Sequence, residues 1–194
     1  MDGGSWQLEL MGVGVLPPMF LERTATQLAR RLGQQVEIYP GRPDPAAAFD
    51  VARQQYLVTA LLAMVEEPTP RAAVKRIAVT GVDLYLPVFT HVVGFAELGG
   101  RVGIVSTFRL RGETAGGRSG QEVLIDRVEK EVLHEMGHTL GLVHCRQGWC
   151  VMRPSGSPEE LDSRDAAFCA TCAERIHVTA FATSDVLSWR SEGR

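Results

Sequence analysis

The eleven residues from His134 to His144, HEMGHTLGLVH, constrain this chain more than any other stretch, because they gather three of its five histidines. His134 and His138 are one helical turn apart, so on an α-helix both imidazoles face the same side and can converge on one ion. The flanking sequence supplies that helix over residues 119–140. Leu124, Val128, Val132, Met136 and Leu140 form an apolar stripe at fourfold spacing, and Ser119 with Glu122 makes a capping box at its start. Glu135 stands about 100° round the helix from His134, over the open side of such an ion and outside its coordination shell. Gly141 permits the left-handed conformation that ends a helix sharply, and His144 can return with a third nitrogen. Three neutral histidines leave a fourth zinc position for water. Zinc brings the pKa of that water towards about 7, and Glu135 is placed to take its proton. H-E-x-x-H alone turns up in unrelated helices; demanding the glycine and the third histidine at fixed offsets drops chance occurrence to the order of 10⁻⁵ in a chain this long.

The cysteines are as unevenly spread: Cys145, Cys150, Cys169 and Cys172 all fall in the last 50 of 194 residues. They can form disulfides, for which four cysteines allow three connectivities, or a tetrahedral zinc site. No positively charged segment precedes the first apolar stretch and no apolar run is long enough for a membrane span, so neither export nor membrane insertion is expected. A cytoplasmic, reducing setting favours zinc over disulfides. A net charge of -3 supplies no basic field, which argues against nucleic acid as the main partner. At 45% apolar and 22% charged residues the composition is that of an ordinary globular domain, with chain enough for one core and a small appended lobe.

Upstream, periodicity predicts a strand over 6–16, a helix over 19–32, a strand over 34–39 and a second helix over 50–64. A third strand is expected over 74–86 with a bend at Gly81, and the β-helix-β crossings favour parallel pairing. Residues 92–98 and 102–110 flank Gly99-Gly100 as a hairpin, so the sheet is expected to be mixed. Beyond the loop RPSGSPEE a short helix is expected over 162–176, carrying Cys169 and Cys172.

HEMGHTLGLVH resembles the extended zinc motif of the metzincin metallopeptidases. The cysteines and methionine that follow, C-x₄-C-x-M and then C-x-x-C, together with the segment VTGVDLYLPVFTHVVGFAELGGRVGIVSTFRL, are similar to the archaemetzincin family over about residues 74–175. That resemblance implies an α+β metzincin-like fold, a mixed twisted sheet with helices and a small zinc-stapled C-terminal lobe, divided here as 1–141 and 142–194. It implies His134, His138 and His144 as catalytic zinc ligands, Glu135 as general base, Met152 beneath the site, and a second, structural zinc on Cys145, Cys150, Cys169 and Cys172. The expected activity is hydrolysis of peptide or protein substrates by a monomer, endopeptidase or aminopeptidase being open. The alternative is a non-catalytic zinc-binding regulatory or interaction module, against which Glu135 argues, since a structural three-histidine site gains nothing from that carboxylate. Residues 102–110 resemble the edge strand along which metzincins line up a peptide, though their composition fits plain sheet core equally well. His91 can approach substrate or serve structurally; His177, Asp83 and Tyr85 are read as structural.

Overall fold

The computed structural model describes residues 6–68, 70–71, 73–111 and 120–176. Strand β1 (Gln7–Val13) ends at Gly14, whose φ of 68° turns the chain out of the sheet. Helix α1 (Pro18–Leu32) follows and stops at left-handed Gly33, before strand β2 (Val36–Tyr39). A 3-10 turn (Pro45–Ala48) leads into strands β3 (Phe49–Asp50) and β4 (Gln55–Leu57), and helix α2 (Val58–Glu66) comes next. Strands β5 (Val74–Thr80), β6 (Leu84–Tyr85), β7 (Gly94–Ala96) and β8 (Val102–Ser106) complete the β structure. The long helix α3 (Gly120–Thr139) and the short helix α4 (Pro158–Asp162) follow, and residues 170–176 are helical again.

The main sheet runs β2-β1-β5-β8-β7, parallel throughout except for β7, which pairs antiparallel with β8 at the edge. Both faces are covered, as a parallel sheet requires. Leu8, Leu10, Ile77, Val79 and Val105 point to one face and join Leu28 of α1 with Val128, Val132 and Met136 of α3. Met11, Val13, Ala78 and Ile104, the alternate residues of the same strands, point to the other and meet Val58, Leu61 and Val65 of α2. Cys150, Val151, Met152, Leu161, Cys169 and Ile176 belong to the first of these cores, so the C-terminal segment is packed on α3 and shares its apolar interior.

Several expectations change. The helix foreseen from residue 50 begins at Val58. Ahead of it the Asp50 side chain accepts the N–H groups of Ala52 and Arg53 at 2.9 and 3.1 Å, closing a turn between β3 and β4. The expected strand over 74–86 breaks at Gly81, and its second half, β6, pairs with β4 in a separate three-stranded sheet. The strand expected over 102–110 ends at Ser106: every residue of β8 is buried sheet core, residues 107–110 leave the sheet with Phe108 exposed, and β7 takes the edge. The helix expected over 162–176 forms only over 170–176, and ahead of it the chain adds α4, begun by Pro158 and capped by Ser157, whose hydroxyl accepts the Glu160 N–H at 3.3 Å. The Ser119 capping box and His177 lie outside the described residues. Among the described residues no helix is long and apolar enough to cross a membrane.

Candidate metal centres and cleft

Helix α3 ends in a Schellman motif: Leu142 N–H donates to Gly137 O and Gly141 N–H to His138 O, both at 2.9 Å, with Gly141 at φ 86°. The reversal brings His144 back over the helix. The ring centroids of His134, His138 and His144 then lie 4.7 to 5.2 Å apart, with one nitrogen from each gathered within 4.8 Å. Nε2 of His134 and Nε2 of His138 are 3.1 Å apart, close to the edge of about 3.4 Å that tetrahedral zinc with Zn–N near 2.1 Å imposes. The opposite ring nitrogens are occupied. Nδ1 of His134 donates to Val151 O and Nδ1 of His138 to Leu142 O, both at 2.8 Å, which leaves each Nε2 lone pair free for a metal. Burial holds the His134 imidazole down to about 3 and lowers His144 as well, so both are neutral and able to ligate at neutral pH.

Met152 is wholly buried and its sulfur packs against Gly137, where a side chain would collide with it. The thioether is thus packed on the stretch of α3 that carries the two helical histidines. Glu135 is 4% exposed, and its Oε2 is buried without a hydrogen-bond partner. Burial, reinforced by the carboxyl of Glu131, pushes its pKa well above the usual carboxylate range. A solitary buried carboxyl oxygen facing three convergent imidazoles fits a metal site in which that oxygen serves a bound molecule. The strand above it is shaped for this carboxyl. A Cβ on Gly94 of β7 would stand 2.5 Å from Glu135 Oε1.

These residues line a cleft of about 630 Å³. Edge strand β7 forms one wall and Pro154, Ser155 and Gly156 form another. Glu131, one turn before Glu135, also lines it, and burial raises its carboxyl to about 7 against the opposing effects of Arg164 and the Ser155 hydroxyl. The spacing of the α3 residues already carried this second carboxyl, but nothing in the zinc motif singles it out. Lys75 fixes the β7-β8 turn to the helix, its Nζ donating to Gly100 O at 2.7 Å and Thr139 O at 2.8 Å. Gly99 N–H adds a bond of 2.9 Å to His138 O. On the other wall, Arg127 of α3 holds Asp162 through two bonds of 2.8 and 2.6 Å. His91 is exposed at the cleft rim with Thr90 Oγ1 3.2 Å from its Nδ1. Asp83 pairs with Arg109 at 2.7 and 2.8 Å and Tyr85 donates to Asp50 at 2.9 Å, bonds that brace the smaller sheet.

The four cysteines form a second cluster, with all four sulfurs within 4.8 Å of one another. Cys145 and Cys169 are 3.8 Å apart, as are Cys150 and Cys172. That is far beyond the ~2.05 Å of a disulfide and matches the ~3.8 Å edge of a tetrahedron with Zn–S near 2.3 Å. Backbone N–H groups of Gln147 and Cys169 point at the sulfurs of Cys145 and Cys150, each at 3.4 Å, as expected around thiolates. Cys145 N–H donates to Met152 O at 2.9 Å, tying the sulfur cluster to the floor of the histidine cluster.

The profile of Peptidase family M54 matches residues 43–178. The archaemetzincin of Natronomonas pharaonis is 34% identical over 172 residues, 87% of this chain and 98% of that protein. That of Methanocaldococcus jannaschii is 37% identical over 140 residues, 72% of this chain and 76% of its own. Among solved structures, the archaemetzincin of Archaeoglobus fulgidus superposes with a TM-score of 0.73 at 32% identity, covering 87% of this chain and 99% of that one. The archaemetzincin of Methanopyrus kandleri gives 0.75 at 31% identity, covering 92% and 97%.

Proposed function

This chain belongs to peptidase family M54 and is a zinc metallopeptidase, and from that premise we propose that His134, His138 and His144 hold the catalytic zinc while Glu135 moves the proton. The observation that carries the assignment is the buried, unpartnered Oε2 of Glu135 in the same cleft as three imidazoles that each bring one ring nitrogen to a common point. Zinc held there supplies Lewis acidity, acidifying water, polarising a carbonyl and favouring the ionised form of Glu135 through its charge.

The protein's own residues do the rest. Edge strand β7 offers backbone groups along which an extended peptide can be added as a further strand, its scissile amide brought over α3. Glu135 then accepts a proton from the attacking water and returns it to the departing amine. The raised proton affinity that burial and Glu131 give this carboxyl suits both halves of that transfer. Met152 and the carbonyls of Val151 and Leu142 keep the imidazoles in place between the two steps.

The second zinc belongs to Cys145, Cys150, Cys169 and Cys172, giving two ions per chain, with residues 142–194 as a small lobe stapled to the body at 1–141. Sulfurs held apart at 3.8 Å without bonding suit a reducing compartment, the cytoplasm, and the substrate is a peptide or protein taken up by a monomer. The non-catalytic alternative gives no task to Glu135. The test is to count zinc in the purified protein and expose a peptide library to wild type and Glu135→Ala. Two ions in both proteins with cleavage confined to wild type supports the assignment; two ions with no cleavage by wild type at neutral pH sinks it.

A further inference from the structure

One charged group in the cleft neither sits among the metal-gathering side chains nor carries the proton in that chemistry. Glu131 lies one helical turn before Glu135 on α3, is 5% exposed, and borders the same cavity as the histidines. Among the described residues no lysine or arginine lines this cleft; its charged lining is acidic, and its walls include Leu86, Val92, Val93 and Phe95. Ser155 stands on the facing wall and lines the same cavity. Behind it sits Arg164, 3% exposed and not part of the lining, with Nη1 directed at Val151 O at 3.3 Å. Its Nε and Nη2 are buried without hydrogen-bond partners, so Arg164 favours the anion on Glu131 from a distance without capping it. Two carboxyls a turn apart in an apolar cavity oppose folding, the more so because Glu135 Oε2 is itself unpartnered there. Such an arrangement is relieved when a cation with an apolar stem enters.

We propose that Glu131, with Ser155, forms a cation-recognising subsite beside the scissile position, selecting peptides that place an ammonium or guanidinium group next to the cleaved bond. The group is a lysine or arginine side chain or the α-ammonium of the substrate's first residue, chemistry that Glu131 reads alike. This deepens the peptidase assignment and rests on it.

The test uses the zinc-loaded full chain and three peptides of one sequence: acetylated with norleucine beside the scissile bond, acetylated with lysine there, and unacetylated with norleucine as first residue. Lysine is placed in turn on either side of the bond. A cationic peptide is expected to exceed the neutral one at least tenfold in kcat/KM, and Glu131→Gln to bring that ratio to about one. Whichever cationic peptide wins identifies the source of the charge. Equal cleavage of all three by wild type, or an unchanged ratio in Glu131→Gln, overturns the subsite. Glu131→Asp keeps the charge with a shorter reach and should give an intermediate ratio, which carries the test if the glutamine variant does not fold. Binding separates this inference from the activity. Nα-acetyl-lysine amide, norleucine amide with its free α-amine, and the neutral Nα-acetyl-norleucine amide are titrated against wild type by NMR. At least tenfold tighter binding of a cationic probe supports the subsite even where no peptide is cleaved, and equal binding of all of them overturns it.

Discussion

The histidine cluster and the cysteine cluster touch, yet they are built on different principles. Two of the histidines sit on a 20-residue helix packed against the sheet, and the third returns through a glycine-terminated reversal, so one side of the cluster opens on the cleft. The cysteines come from two loops and the start of the 170–176 helix, and three of the four are buried. The first cluster inherits its rigidity from the fold and can leave a position open for a substrate. The second, with four ligands and no place for a substrate, would lend rigidity through its ion to a segment with little regular structure of its own.

Removing a ligand from the closed cluster should therefore do the greater structural harm. Cys172→Ser is expected to lose one zinc per chain by native mass spectrometry and to lower Tm by at least about 10 °C. Retention of both ions and of Tm would erase the distinction between the clusters. Glu135→Gln should leave Tm and both ions in place while slowing cleavage by about 10²- to 10⁴-fold, read from kcat. A variant that also lost metal would make Glu135 part of the scaffold. Gly94→Ala tests the open side from above. Its methyl must displace β7 or the Glu135 carboxyl, and about a tenfold fall in kcat with unchanged zinc content is expected.

The difference between the regions is also a difference in what can be read from residue order. The metal helix was legible because ligand spacing, apolar stripe and terminating glycine all agree along α3, and each is a local property of one element. The position of Glu131 in the cleft was not, because it depends on the Pro154–Gly156 wall, which is followed by α4, itself tied to α3 by the Arg127–Asp162 pair across 35 residues. The hairpin before α2 was mistaken for helix because Val51, Leu57 and Val58 suit a helical stripe, while the Asp50 turn that separates them rests on side-chain bonds to the backbone. Likewise, whether 102–110 is edge or core is decided by which strand adds last to the sheet, and β7 does so from the other arm of the hairpin.

The smallest effect is a pH dependence of stability in the metal-free protein, where two cleft groups pull in opposite directions. His134 is depressed to about 3, so its contribution is complete above about 6.5 and is lost as pH falls towards 3, because the unfolded chain binds a proton that the folded one refuses. Glu131 is raised to about 7, so its contribution is complete below about 4.5 and is lost as pH rises through 7. Glu131→Gln should therefore gain stability relative to wild type between pH 4.5 and 7, measured as the difference in urea midpoints at the two ends. A difference that stays constant would show that Glu131 ionises as freely in the folded protein as in the unfolded one.

The Cys150-Val151-Met152 triplet answers for three tasks at once: a sulfur for one cluster, a carbonyl for His134, and a thioether under α3. Because each task fixes a different direction along successive residues, a single inserted or deleted residue here would rotate all three out of phase together. Length variation in related chains should thus be barred from this triplet.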